Sequence, residues 1–162
     1  MNITHGECDS VKATATPSPE HQNSHRKIVK KIYKALRDGD TKKLSNLIGT
    51  ELEWWYHGPH HCHYMMEMLT GKSTLKAFKF KPRRMKVIGD FVIVEGWEEK
   101  EEYWVHLWRL KEGIIDEIRE YFNTLITLVV HDYEDGGREG RLWRSTSQAR
   151  VHGSLPDLVV AV

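Results

Sequence analysis

Three apolar stretches decide the fold: Phe91-Val-Ile-Val-Glu-Gly-Trp-Glu98, Tyr103-Trp-Val-His-Leu-Trp-Arg-Leu110 and Ile114-Ile-Asp-Glu-Ile-Arg-Glu-Tyr-Phe-Asn123. β-Branched and aromatic residues dominate each stretch, and short turn-like connections such as Glu112-Gly113 follow them. This pattern is typical of antiparallel strands joined by hairpins. We therefore predict a strand from each stretch, with the third strand continuing through further apolar residues to Val130.

Both faces of this predicted sheet carry apolar side chains. On the second stretch one face holds Trp104, His106 and Trp108, and the other holds Val105, Leu107 and Arg109. On the third stretch, alternation sets Ile118 and Phe122 opposite Ile115 and Tyr121. A sheet that is apolar on both faces needs two covers. Helices can cover one face, and we expect a second subunit on the other, which predicts a homodimer through the face of Val105, Leu107, Arg109 and Tyr121.

The residues before this sheet predict helices and two more strands. The first predicted helix has apolar side chains at helical spacing opposite a face of lysines, and Gly39 ends it. The apolar residues are Ile28, Ile32, Tyr33 and Leu36. A short helix up to Gly49, a strand over 50–57, a break at Gly58-Pro59, a helix from Tyr64 to Gly71 and a strand over 78–87 complete the order. Helices followed by a meander of four strands predict an α+β fold.

Length and composition favour a single domain. The chain has 162 residues and a mass of 19.0 kDa, which suffices for one core. Large apolar side chains are sparse over residues 1–24, so we expect a disordered tail there. The domain is predicted over 25–130. A loop and an apolar C-terminal segment follow over 131–162, and we expect that segment to dock on the domain or on a partner.

Charge and cysteine content exclude several classes of protein. Lys and Arg number 24 against 23 Asp and Glu, a net charge of +1, which argues against binding to nucleic acid. Two cysteines, Cys8 and Cys62, form no disulfide framework, and the chain shows no early apolar run of signal-peptide length. No run reaches the ~18 apolar residues of a transmembrane segment. These features predict a cytoplasmic protein, with the nucleus as the alternative.

Two polar clusters need an interpretation. A basic run favours the solvated face of a strand, with an acidic partner surface as the alternative; it consists of Lys79, Lys81, Arg83, Arg84 and Lys86. A second cluster holds residue types that bind zinc or copper, but its spacing matches no tight-binding template; it consists of His57, His60, His61, Cys62 and His63. We interpret it as a polar loop at the mouth of a pocket and predict neither a metal nor a cofactor.

Four further motifs follow one another along the chain: Leu52-Glu-Trp-Trp-Tyr-His-Gly-Pro59, Arg119-Glu-Tyr-Phe-Asn-Thr124, Leu142-Trp-Arg-Ser145 and Pro156-Asp-Leu-Val-Val-Ala-Val162. In this order they resemble the plant wound-induced and senescence-associated protein family. The resemblance runs from Lys27 to Val162 and implies the cone-shaped nuclear transport factor 2-like fold, in which a curved antiparallel sheet packs on three helices around a pocket. Ketosteroid isomerase, scytalone dehydratase, limonene epoxide hydrolase and SnoaL-like polyketide cyclases share this fold. The family's name records when its genes are expressed, which is no biochemical activity.

The resemblance also implies site residues. His57 resembles the position of the isomerase base, and His106 resembles that of the second acid in the isomerase pocket. Phe122 matches an aromatic wall position, and alternation places Ile118 and Glu120 on the same face. We therefore predict His57, His106 and Glu120 as the catalytic residues of an enzyme. The predicted ligand-binding wall is Trp55, Trp104, Trp108, Ile118 and Phe122.

An imidazole beside a carboxylate in an apolar cavity can move a proton, but the same groups can also serve only to orient a ligand. We expect a non-catalytic carrier or auxiliary in plant stress or specialised metabolism, which binds a small apolar metabolite and contacts an enzyme partner. The alternative is a cofactor-independent isomerase, cyclase or dehydratase acting on a small apolar carbonyl compound. A third class is a scaffold with an unused pocket.

Overall fold

The structure, a computed structural model, describes residues 18–69, 80–98, 102–132, 138–146 and 155–162. In chain order these ranges contain α1 (Pro19–Asp38), α2 (Thr41–Leu47), β1 (Ile48–His57), a 3-10 turn (His60–Cys62), α3 (Tyr64–Leu69), β2 (Pro82–Ile88), β3 (Phe91–Glu98), β4 (Glu102–Lys111), β5 (Ile114–Phe122), β6 (Ile126–Asp132), β7 (Arg138–Arg144) and β8 (Leu158–Ala161). The first 17 residues of the predicted tail, the predicted helix end at Gly71, and Phe78 and Lys79 lie outside the described residues.

Helix α1 begins earlier than its hydrophobic repeat. The Ser18 side chain accepts a hydrogen bond from the His21 N–H at 3.3 Å, Pro19 occupies the first helical turn, and Glu20 adds an acidic group there. These residues cap a helix and complement its dipole. The helix therefore extends into the segment that the sequence assigned to the tail. Gly39 ends it, as predicted, with a left-handed φ of 66°.

Five strands form the main sheet, in the order β1, β5, β4, β3, β2. Strands β2 to β5 are consecutive antiparallel neighbours, which confirms the predicted meander. Strand β1 lies at the edge and pairs with β5 in parallel. The helices pack on the inner face of this sheet, where α1 contributes the buried side chains of Val29, Ile32 and Leu36.

Gly96 of β3 lies against the ring of Trp104, its partner residue on β4. Trp104 is fully buried in the inner core. A Cβ atom on Gly96 would lie 2.3 Å from Cζ2 of the Trp104 ring and 2.6 Å from the Lys81 carbonyl oxygen. Real atoms do not approach so closely, so glycine at this position makes room for Trp104.

Register irregularities change one predicted side-chain direction. The pairing of β4 with β5 shifts between Arg109 and Leu110, and the pairing of β1 with β5 shifts after Ile48. Ile115 therefore packs in the inner core together with Ile118, whereas simple alternation set the two residues on opposite faces. One extra residue reverses the face of every side chain beyond it.

The predicted strand over 114–130 is wrong, because the chain breaks after Phe122 and leaves the main sheet. Asn123 has a left-handed φ of 53°, and its side-chain oxygen accepts a hydrogen bond from the Tyr103 N–H at 3.1 Å. Beyond this turn β6 pairs with β7 and with β8 in a second, three-stranded sheet. Asparagine tolerates the left-handed region better than most residues, which allows the turn inside an apolar stretch.

This second sheet covers the outer face of the first. Val105, Leu107 and Tyr121 of the main sheet share one buried cluster with residues of the second sheet, among them Ile126, Leu128 and Trp143. The second cover thus comes from the same chain, so the apolar face that motivated a homodimer is already buried. Apolar residues of the C-terminus, including Leu158 and Val160, pack against the same cluster.

Candidate functional site

His106 is the centre of a buried polar network on the inner face. Its Nδ1 lies 2.7 Å from the Tyr33 hydroxyl, which in turn accepts a hydrogen bond from the Trp108 indole N–H at 2.9 Å. Because the indole can only donate, the Tyr33 oxygen accepts this bond, and the Tyr33 hydroxyl can donate its own proton to Nδ1. Burial raises the pKa of Tyr33 well above its ordinary value, so its hydroxyl keeps that proton.

The other imidazole nitrogen faces a carboxylate. Nε2 of His106 is 3.2 Å from Oε1 of Glu120, close enough for a Coulombic contact but not aligned for a hydrogen bond. The Trp54 indole N–H donates to Oε2 of the same carboxylate at 2.6 Å. The contact between His106 and Glu120 follows from the strand register, since β4 and β5 pair these two residues directly. The result is a chain of polar contacts, here called the relay, which runs from Trp108 through Tyr33, His106 and Glu120 to Trp54.

Aromatic rings fill the space around the relay. The ring centroids of Trp104 and Phe80 lie 4.4 Å and 4.8 Å from that of His106, and Trp108 stands edge-on to it at 5.8 Å. Trp104 also carries a buried indole N–H that has no hydrogen-bond partner among the described residues. His106 and Trp104 have no solvent-exposed surface. The imidazole is therefore enclosed by packed side chains.

The structure brings most of the predicted site residues together. His106, Glu120, Trp104, Trp108, Ile118 and Phe122 all belong to the inner face of the sheet or its core. His57 and Trp55 lie on the opposite face of β1, where His57 is exposed and stands 6.4 Å ring to ring from Tyr121. Trp55 is 58% exposed, and its indole N–H donates to Glu53. A cavity of about 440 Å³ is nevertheless lined by His57, Trp55 and Glu120. His106 is fully buried in the core and does not line it, so the structure does not bring all three predicted catalytic residues into one pocket.

Two residues of the relay were missed as site residues in the sequence. Tyr33 was interpreted as one apolar residue of the helical repeat, although a tyrosine inside such a repeat brings a hydroxyl that needs a partner in the core. The predicted ligand-binding wall includes Trp55 and not Trp54. The alternation of β1 places Leu52, Trp54 and Tyr56 inward and Glu53, Trp55 and His57 outward.

Two grooves open beside this core. The apolar groove, of about 380 Å³, lies between α2, β1 and α3 and is lined by Thr41, Leu44, Ser45, Ile48, Gly49, Thr50, Leu52, Trp54, Met68 and Leu69. The basic groove, of about 530 Å³, lies between α1 and the start of β2 and is lined by Arg26, Lys30, Tyr33, Lys34, Arg37, Phe80, Lys81, Pro82, Arg83, Arg84 and Met85. Each groove borders one residue of the relay: Trp54 lines the apolar groove and Tyr33 lines the basic groove.

A second buried polar cluster, the outer cluster, joins the two sheets. Arg84 Nε lies 3.0 Å from Oε1 of the fully buried Glu95, and the Tyr103 hydroxyl donates to Oε2 at 2.6 Å. The Tyr103 oxygen is 2.5 Å from Oγ of Ser145, which also accepts the Ile126 N–H at 2.8 Å. Burial is the main reason that the pKa of Tyr103 is raised. The Leu142–Ser145 motif thus ends in a contact between sheets.

Ring packing and a hydrogen bond to the backbone hold the histidine-rich loop around residues 60–63. The His63 ring lies 3.8 Å from the Tyr56 ring, and the Tyr56 hydroxyl donates to the Pro59 carbonyl at 2.5 Å. Burial raises the pKa of the Cys62 thiol, which disfavours the thiolate that binds metals. Within the described ranges, no three His, Cys, Asp or Glu side chains are grouped as a metal site would require.

Comparison with solved structures identifies the fold. The chain resembles Bal32a from a soil-derived mobile gene cassette (TM-score 0.52, 19% identity, covering 62% of this chain and 90% of that one). It also resembles an LEH-like epoxide hydrolase from M. tuberculosis (TM-score 0.51, 18% identity, covering 64% and 85%). The expected nuclear transport factor 2-like α+β fold is confirmed. At these identities the likeness concerns the fold alone.

Comparison of sequences identifies the family. The pattern of the wound-induced protein WI12 family matches residues 66–162, more than half of the chain. Over 105 residues the chain is 34% identical to Wound-induced protein 1 of Solanum tuberosum, and over 110 residues it is 30% identical to Senescence associated gene 20 of Arabidopsis thaliana. Each match covers the whole relative and 60% of this chain. The chain belongs to the wound-induced protein WI12 family, as its motifs predict.

No helix in the described part of the chain has both the length and the apolar character needed to cross a membrane.

Proposed function

We propose that this protein binds a small apolar molecule in the apolar groove and carries or presents it without converting it, as a cytoplasmic auxiliary in plant stress or specialised metabolism. The observation that carries the proposal is the groove itself. Its volume of about 380 Å³ lies within the range of ligand pockets. Its lining is mainly apolar, and its polar side chains are the hydroxyls of Thr41, Ser45 and Thr50. Trp54 forms part of its wall, with the indole N–H already engaged by Glu120.

The state of the relay favours binding over chemistry. A general base must reach a substrate proton directly or through one water. His106 is fully buried under rings, and it lines neither the apolar nor the basic groove. Tyr33 and Trp54 stand between the imidazole and the two grooves, and both use their polar atoms inside the relay. The relay therefore acts as a rigid, hydrogen-bonded wall behind the ligand.

The relay also supports a second candidate function, a cofactor-independent isomerase, cyclase or dehydratase. A tyrosine and a carboxylate face the two nitrogens of one imidazole, an arrangement that can pass a proton if a substrate reaches it. In this alternative Tyr33 or Glu120 exchanges a proton with a carbonyl compound, and His106 returns it.

Binding in the apolar groove is tested with the neutral fluorescent probe N-phenylnaphthylamine. Thr50 lines the groove from β1, whereas its exposed neighbour Glu51 does not. We expect Thr50→Phe to fill the groove and weaken probe binding ~10-fold or more, and Glu51→Phe to leave it unchanged. Equal binding by both variants and the unchanged protein would refute the proposed site.

The choice between carrier and enzyme is tested on the molecule that the protein retains in its own tissue, identified by native mass spectrometry. His106→Gln keeps most of the size and removes the titrating proton. For a carrier we expect unchanged affinity and no turnover of that molecule by the purified protein. Turnover by the purified protein that falls ~10²-fold or more in His106→Gln would establish the enzyme instead.

A further inference from the structure

The basic groove is strongly positive, although the net charge of the whole chain is close to zero. The chain is nearly balanced, with 24 basic and 23 acidic residues. Of the described residues that line the basic groove, seven are lysine or arginine and none is acidic; they are Arg26, Lys30, Lys34 and Arg37 from α1, and Lys81, Arg83 and Arg84 from the start of β2. Such segregation of one sign in a concave surface concentrates anions there.

Three of these cations are already bound within the protein. Arg26 donates to the Met85 carbonyl at 3.5 Å, Arg37 pairs with Asp38 at 3.3 Å, and Arg84 pairs with Glu95. Lys30 and Lys34 are exposed, and no hydrogen bond or ion pair joins either ammonium to another described residue. They stand one helical turn apart on the groove side of α1. Two neighbouring ammonium groups are thus available to a ligand.

The floor of the basic groove is apolar and rigid. Tyr33 and Phe80 are both at least nine-tenths buried, and Met85 packs against the inner core. The Phe80 ring is held edge-on against Trp104 at 5.2 Å, and the Tyr33 hydroxyl is fixed by the relay. A flat apolar body can lie on these rings, where it removes apolar surface from water.

We infer that the basic groove binds a small amphipathic organic anion: a flat apolar body that lies on Tyr33 and Phe80, with a carboxylate, sulfate or phosphate group held by Lys30 and Lys34. The groove volume of about 530 Å³ suits such a ligand. A nucleic acid or an acidic peptide would need a longer row of uncommitted cations, whereas three of the seven are engaged by the chain's own oxygens. This site is separate from the apolar groove and does not depend on its ligand.

The test uses two probes that share one ring system. Anilinonaphthalene sulfonate carries an anionic group, and N-phenylnaphthylamine lacks it. The groove variant is Lys30→Gln with Lys34→Gln. The control variant is Lys27→Gln with Lys31→Gln, which removes the same charge at the same spacing from exposed residues of α1 that do not line the groove. Fluorescence titrations are made at low and at physiological salt.

We expect the groove variant to bind anilinonaphthalene sulfonate ~10-fold more weakly than the unchanged protein, and the control variant to bind it within about twofold. Binding of the neutral probe should not change in the groove variant. Equal losses in both variants would assign the effect to overall charge and overturn the proposal. A loss confined to Thr50→Phe would place the anion in the apolar groove and overturn it as well. Tighter binding of a poly-glutamate peptide than of the sulfonate, with the same dependence on Lys30 and Lys34, would replace the small anion by an acidic peptide.

Discussion

Two carboxylates lie buried on opposite faces of the same sheet, and their surroundings differ in one respect. Glu120 on the inner face and Glu95 on the outer face each accept a hydrogen bond of 2.6 Å from an aromatic side chain, Trp54 and Tyr103 respectively. The second partner of Glu95 is the permanent cation of Arg84 at 3.0 Å. The second partner of Glu120 is the imidazole of His106 at 3.2 Å, which exists with or without a charge.

This difference separates a structural role from a site. The outer cluster balances its charge internally and connects β2, β3 and β4 to Ser145 beyond β7, so it fixes the second sheet to the first. The inner relay includes Tyr33 and Trp54, and both of these residues line grooves. Arg84 of the outer cluster also lines the basic groove, but the buried Glu95 already balances its charge, so we assign the outer cluster a structural role.

The largest effect is expected from Arg84→Met, which removes the cation of the outer cluster. Glu95 is fully buried, so the substitution leaves its charge without a counterion, while Arg84 itself is 39% exposed and moderates the effect. We expect a loss of about 3 kcal/mol in the free energy of unfolding, measured by urea denaturation at neutral pH.

Lys86→Met is the matched control for this change. Lys86 lies two residues further along β2 and donates to the Leu142 carbonyl of β7 at 3.1 Å, but it meets no buried carboxylate. Its replacement should cost less than about 1 kcal/mol. Equal losses from both variants would mean that contacts to β7, and not the buried charge of Glu95, hold the sheets together.

A smaller effect is expected from Tyr33→Phe, which opens the inner relay. The change removes one hydroxyl and leaves both the Trp108 N–H and Nδ1 of His106 without their buried hydrogen-bond partner. We expect a loss of about 2 kcal/mol in the free energy of unfolding. Tyr64→Phe is the control, because its hydroxyl contacts Glu102 at 3.4 Å in a half-buried setting; it should cost less than about 1 kcal/mol. Equal costs would contradict the assignment of the Tyr33 hydroxyl to a buried hydrogen-bond network.

Much of the inner face could be predicted from the sequence, because β4 and the second half of β5 follow strict alternation. Trp104, His106 and Trp108 were grouped correctly by this rule, and Glu120 joined them through the direct pairing of the two strands. The same rule failed for Ile115, since it takes no account of the register shift at Arg109 and Leu110. On β1 the adjacent Trp54 and Trp55 are chemically alike, so their assignment to faces depends on a register that composition does not contain.

The outer cover could not be predicted from hydrophobicity. The turn at Asn123 interrupts a continuous apolar run, and what fixes it is a side-chain hydrogen bond to Tyr103, twenty residues earlier in the chain. The second sheet then depends on pairings between β6 and distant segments. Such long-range contacts are invisible to local periodicity, which is why an intermolecular cover was expected in their place.

The smallest effect is expected at His25, a buried histidine that belongs neither to the relay nor to the outer cluster. It tests how a buried imidazole outside these clusters affects the pH dependence of stability. It lies two turns before Tyr33 on α1, and its Nδ1 has no hydrogen-bond partner among the described residues. Burial, and then the neighbouring His21 at 4.0 Å ring to ring, lower the pKa of His25 from 6.5; Asp90 and the Gly89 carbonyl oppose this less strongly. His25, His21 and Asp90 line one cavity. The other charged residues that line it are Arg109, Lys111, Glu112 and Asp116.

Because the folded pKa of His25 lies below the unfolded one, the unfolded chain takes up more protons as pH falls through 6.5. His25 therefore destabilises the fold progressively at acid pH and has no such effect above neutrality. We expect the unfolding free energy of His25→Gln to fall less steeply between about pH 7 and pH 5 than that of the unchanged protein, as measured by urea denaturation. Parallel curves for the His25 variant and the unchanged protein would show that burial of this imidazole carries no linkage to pH.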